Sequence, residues 1–147
     1  MRKLTQEDVD FLVALQEELN TQDTVCQADP RFWVVRDSSW EPCWDGEAER
    51  FAVYSDGENV GELQRYVRIE DSDTTCVPER KVERNREDTF FMTLRECREH
   101  IAANDYNYHG DAHPFAMTAW RSPQVEKLWE ILQEVDWSEL RGEGDAE

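Results

Sequence analysis

The stretch from Phe90 to Trp137 constrains this chain most, because it reads as a succession of elements with their start and stop signals in place. Phe90-Phe91-Met92 is a short apolar run with the look of a strand. Thr93 follows with Glu96 three residues on, so each side chain can satisfy the other's backbone donor and open a helix. That helix buries Leu94, Cys97 and Ile101 and stops near Asn104. An aromatic and polar loop, Tyr106 to Pro114, leads to a second apolar run, Phe115 to Trp120. Ser122-Pro123 then opens a last helix, the hydroxyl capping and the proline standing where no backbone N–H is needed. Val125, Leu128, Trp129, Leu132 and Val135 are its expected buried face.

The rest of the chain supplies a second helix signal and a set of strands. Thr5 and Asp8 form another capping pair, with Leu4 and Val9 placed for a hydrophobic staple, and the helix buries Leu12, Leu15 and Leu19 before ending near Asn20. Thr21-Gln22-Asp23-Thr24 reads as a connection. Pro30 favours an extended Asp29, and Arg31 to Arg36 is β-branched and aromatic, the best strand in the sequence. Asp37-Ser38-Ser39 reads as a turn. Trp40 to Trp44 is a weaker strand that Pro42 places at a sheet edge, and Phe51 to Tyr54 returns as a third. Val60, Leu63 and Val67 recur at helical spacing, so 59–69 is expected to be a short helix. From Glu70 to Asp88 the chain is polar without periodicity, the composition of a mobile excursion, and Ser138 to Glu147 is a polar tail expected to fray. The fold class expected is α+β: one domain, residues 1–137, with a small antiparallel sheet packed by the N-terminal and C-terminal helices.

Charge narrows the function classes. The 147 residues carry 16 basic and 34 acidic side chains, a net charge of −18. Residues 37–78 alone hold eleven acids and three bases. Direct binding to nucleic acid or to an anionic membrane draws on Lys and Arg, so neither is expected. A basic protein surface is the complementary partner. The chain has no signal-peptide core and no stretch of membrane-spanning length. Cys26, Cys43, Cys76 and Cys97 are far apart with no C-x-x-C pairing, the pattern of reduced thiols in a cytoplasmic protein.

Chemistry-bearing motifs are few. His100, His109 and His113, with Cys97, Asp105 and Asp111 nearby, are the one cluster with metal-ligand chemistry, though their spacing fits no known zinc signature. Core packing for Cys97 and loop hydrogen bonds for the histidines are the competing reading. There is no nucleophile elbow and no glycine-rich phosphate loop, so no catalytic residue and no cofactor is assigned. Trp33 and Trp129 fit a core; Trp40, Trp44, Tyr106 and Tyr108 are candidates for an exposed ligand-binding site, for example for a nucleotide or second messenger. Glu126, Glu130 and Glu134 recur every four residues on the last helix, about 6 Å apart by helix rise. They form either a solvated face or a partner-binding row that imitates a phosphate track.

Three strings are familiar together: Asn20-Thr21-Gln22-Asp23, Ala28 to Val35, and His113 with Ala116 to Leu128. With them the chain resembles a group of small proteins encoded by bacteriophages and prophages, over its first and last thirds. The resemblance implies a phage accessory protein in the host cytoplasm and carries over no catalytic residues. The leading expectation is therefore a non-enzymatic acidic inhibitor that binds a nuclease or another nucleic-acid-handling protein of the host, as a nucleic-acid mimic. Alternatives are a small-ligand sponge built on the exposed aromatics and a metal-dependent enzyme at His100, His109 and His113.

Overall fold

Both capping pairs read from the sequence start helices where expected, Thr5 and Asp8 as a reciprocal box and Thr93 through its own hydroxyl. The computed structural model describes residues 1–22 and 28–140. Helix α1 spans Gln6–Thr21, with the Thr5 hydroxyl accepting from Asp8 N–H and the Asp8 carboxylate accepting from Thr5 N–H. Helix α2 spans Leu94–Ala103, with Thr93 accepting from Glu96 N–H and Asn104 closing its C-terminus. Helix α3 spans Pro123–Glu134; Pro123 stands in its first turn, but the Ser122 hydroxyl makes no capping bond.

Five strands complete an α+β domain: β1 (Arg31–Pro42), β2 (Arg50–Ser55), β3 (Glu58–Leu63), β4 (Thr74–Asn85) and β5 (His113–Thr118). They form one antiparallel sheet in the order β3-β2-β4-β1-β5. The N- and C-terminal helices flank it. The helix laid directly on the sheet is α2: Trp33, Val35, Leu94, Cys97 and Ala116 form the buried core, with Phe91, Ile101, Tyr108 and Ala112 packed around it. α1 and α3 pack on one another. Gln16 Nε2 donates to the Leu132 and Val135 carbonyls (3.1 and 2.6 Å), and Asn20 Nδ2 donates to Gln133 O (3.2 Å). These amides fill the place of the missing intrahelical donors at the end of α3. Gln22 ties the pair to the rest, its Oε1 accepting from Trp33 Nε1 and Leu94 N–H.

Several expectations are corrected. Asp37-Ser38-Ser39 is no turn, and Trp40–Trp44 is no separate edge strand: β1 runs on through them to Pro42. It pairs with β5 over Arg31–Arg36 and with β4 over Arg36–Pro42, so its second half has a free side where Pro42 is tolerated. The loop after α2 covers part of that side, His109 N–H donating to the Asp37 carboxylate and the Ser38 hydroxyl donating to Asp111. The short helix expected over 59–69 is absent; Asp56 and Gly57 both adopt positive φ (52° and 81°), and this two-residue turn returns the chain as β3. Residues 70–88 are not an excursion but contain β4, the middle strand of the sheet. Phe90-Phe91-Met92 contributes a single bridge, Phe91 to Trp33. Trp137–Leu140 forms a 3-10 turn, while Asp23, Thr24, Cys26 and the tail beyond residue 140 lie outside the described residues.

Candidate functional site

Helix α3 presents two different surfaces to solvent. Trp129 and Leu132 turn inward and are buried, and Val125 is half-buried. Glu126, Glu130 and Glu134 are all exposed, as the four-residue spacing predicted; Lys127 Nζ reaches Glu130 at 3.4 Å, and among the described residues Glu126 and Glu134 have no ion-pair partner. Leu128 and Val135, expected in the core, are instead 48% and 40% exposed, and Ile131 between them is 37% exposed. At 3.6 residues per turn these three lie together, about a third of the circumference round from the acidic row. The reason for the correction is that Gln16 and Asn20 hold α1 against the Trp129–Leu132 side of α3, leaving the second apolar flank uncovered.

The sheet gathers its charges into closed clusters. Glu79, 4% exposed, accepts from Arg50 Nε (2.8 Å) and from the Tyr54 hydroxyl (2.7 Å), and the Arg50 guanidinium lies 4.0 Å from the Trp40 ring centre. The hydrogen bond to Glu79, with burial, pushes the Tyr54 hydroxyl above the ordinary phenol value. A second cluster joins Ser38, Asp111 and Lys81. The ammonium of Lys81, 2.7 Å away, and the Ser38 hydroxyl hold the Asp111 carboxyl down at about 2. Asp111 in turn raises Lys81. Asp37, also buried, accepts from His109 N–H and faces Arg86 at 3.7 Å.

The histidines are not brought together. His100 Nε2 and the Tyr108 hydroxyl hydrogen-bond at 2.6 Å, with the imidazole against the Phe91 ring. His109 is exposed and is held through its backbone, and exposed His113 turns Nδ1 to Asp111 O at 2.9 Å. Among the described residues no three His, Cys, Asp or Glu side chains are grouped to hold a metal ion. Cys43, Cys76 and Cys97 are buried free thiols, and burial pushes Cys97 up to about 11.

The four aromatic candidates are dispersed as well. Trp40 covers Arg50 within the sheet cluster, Trp44 meets Tyr66 edge-on at 5.6 Å, Tyr106 projects from the loop 78% exposed, and Tyr108 packs on the core. Trp33 and Trp129 are buried and Trp40 and Trp44 exposed, as their sequence contexts suggested.

These clusters decide the outward field. Arg36, Arg50, Lys81, Arg84, Arg86 and Arg95 each hold a carboxylate within 3.7 Å, so much of the scarce positive charge is neutralised locally. The acidic surplus faces solvent. No helix among the described residues is long and apolar enough to cross a membrane. No known protein family matches the chain, and no curated protein and no solved structure is similar to it.

Proposed function

We propose that the protein is a non-catalytic binding protein, an inhibitor whose acidic surface occupies the basic, nucleic-acid-binding groove of a partner protein. The observation that supports this most is the solvent side of α3, where Glu126, Glu130 and Glu134 stand in a row and the uncovered Leu128, Ile131 and Val135 form a second stripe about a third of the circumference away. Carboxylates at this density attract and orient a cationic surface from a distance, while desolvated apolar side chains supply most of the affinity on contact. An exposed acidic row alone is a solvated helix face; an exposed apolar stripe along the same helix gives a partner something to bury. The charge that attracts a basic groove repels nucleic acid and anionic lipid themselves. A bacterial host protein, such as a defence nuclease, is the partner consistent with the phage-like sequence strings.

The test is capture from bacterial lysate, comparing wild type with a Glu126→Lys, Glu130→Lys, Glu134→Lys variant. Solvent-exposed positions tolerate such changes, so the variant should retain the wild-type melting temperature within a few degrees. Wild type should retain a basic nucleic-acid-binding protein that is released by raised salt and displaced by duplex DNA, and the variant should retain none. Retention of the same protein by the variant, indifferent to salt and to DNA, refutes the mimic reading.

A further inference from the structure

The opposite end of the molecule has an open edge. β3 is the outer strand of the sheet, paired only with β2, and each of its residues from Glu58 to Leu63 is exposed. A strand paired on one side turns alternate N–H and C=O groups outward, unmatched, which is a template for another strand. Natural edges are commonly blunted by lysine, proline or a covering loop; β3 has no lysine and no proline, and its irregularity is one register shift opposite Val53–Tyr54. At that shift Gly61 N–H donates to the Asn59 side chain at 2.9 Å.

Apolar side chains accumulate at this edge. Val60 is 61% exposed and Leu63 38%; Tyr66 and Val67 follow directly along the chain at 46% and 40%. Trp44, 66% exposed, joins them through its ring contact with Tyr66. Large exposed tryptophan and tyrosine side chains next to an unpaired strand are characteristic of an interface. The surroundings are acidic: the segment 37–78 that contains the whole patch carries eleven acids to three bases, and Glu58 and Glu62 lie on β3 itself. A second copy of this chain would bring the same acidic edge against it, so like charge disfavours self-pairing.

We infer that β3 is a docking edge for an extended basic segment of a partner protein, which adds to the sheet as a sixth strand with one cation beside Glu58 on one face, where Leu63 also lies, and another beside Glu62 on the other. Backbone hydrogen bonds would give affinity, and cations matched to the glutamates on the two faces would give selectivity. The charge assigned to the partner rests on the acidic-inhibitor reading above; the place does not, since it is set by the open strand.

The probe is the hexapeptide Lys-Val-Lys-Val-Lys-Val, with two controls: the same peptide N-methylated at alternate amides, and Glu-Val-Glu-Val-Glu-Val. Added to the full-length protein, the basic peptide should slow amide exchange in β3. N-methylation on the pairing edge should weaken binding by about tenfold or more, because it removes donors without changing charge. Val60→Lys with Leu63→Lys should weaken it to a similar degree, with an unchanged melting temperature showing that the hairpin is intact. Equal binding of the N-methylated peptide overturns strand addition, leaving a purely ionic coat. Protection of β3 that grows with protein concentration in the absence of peptide overturns the choice of occupant in favour of a second copy. The acidic α3 reading fails separately: if the α3 lysine variant still captures its host protein while the peptide results hold, only that reading is lost.

Discussion

Glutamate 79 is where the sheet is most exposed to a single change. Its carboxylate is almost fully enclosed and its partners, Arg50 and Tyr54, both come from β2, so the cluster fastens β2 to β4 through side chains as well as backbone. Glu79→Gln keeps the shape and removes the charge, leaving Arg50 partly buried without its principal counterion. Removing one partner of a buried pair costs about 3–5 kcal/mol when the remaining charge is stranded. Arg50 is not wholly stranded: its side chain is 17% exposed, it lies on Trp40, and Glu62 is 3.7 Å away. The expected loss is therefore smaller, about 2–3 kcal/mol, a large part of the roughly 5–15 kcal/mol that holds a domain folded. With a urea slope near 2 kcal/mol per molar, the unfolding midpoint should fall by about 1–1.5 M. The double change Arg50→Met, Glu79→Leu removes both charges and should recover much of that loss, because the cost lies in the unpaired charge and not in the absent pair. A Glu79→Gln midpoint equal to wild type, or a double variant worse than either single change, refutes the assignment of this cluster as a closed structural pair.

Two further outcomes follow from the same geometry. Asp111 has a folded-state value of about 2, below the ordinary 3.8, so its stabilising effect is complete above about pH 4 and is lost as pH falls toward 2; the stability difference between wild type and Asp111→Asn should be constant near neutrality and shrink across that window in acid denaturation. A difference that stays constant down to pH 2 would contradict the Lys81 and Ser38 contacts as its source. Gln16→Ala removes two donors from the carbonyls at the end of α3 and should cost about 1–2 kcal/mol, with faster amide exchange confined to α3 and its contact with α1; unchanged exchange there would mean the amide is dispensable.

Legibility followed the range of the interactions. The starts of α1 and α2 are readable because capping is local: a reciprocal Thr5–Asp8 box at α1 and the Thr93 hydroxyl on Glu96 N–H at α2. The cores of Trp33 and Trp129 were readable from the apolar runs around them. β4 was not, since its residues look like a charged loop until their partners are known: Glu79 with Arg50, Lys81 with Asp111, Glu83 with Arg36, and Arg84 with Glu41 across the sheet. Asp37-Ser38 reads as a turn for the same reason, its polar groups being satisfied by a loop more than seventy residues away. At β3 two local signals conflicted, and the turn-forming Asp56-Gly57 outweighed the helical spacing of Val60, Leu63 and Val67. On α3 the acidic row was visible as spacing. Leu128 and Val135 read as core because a helix with apolar residues over much of its circumference does not say which flank its neighbour covers.

The direction of the titration shifts bears on what kind of protein this is. A side chain that moves protons at neutral pH has a value near 7. Here the clusters drive their members the other way: Asp111 down to about 2, Lys81 and Tyr54 up from already high values, Cys97 up to about 11. Each shift holds a group in the charge state it already has at neutrality. The polar chemistry of the sheet is thus turned inward and mutually satisfied. The unsatisfied features are peripheral and of another kind, an apolar flank and a separate carboxylate row on α3, and an unpaired strand beside exposed aromatic rings at β3. Both offer contact area under a negative field. The lysine substitutions on α3 and β3 separate the two surfaces by which the proposed binding would act.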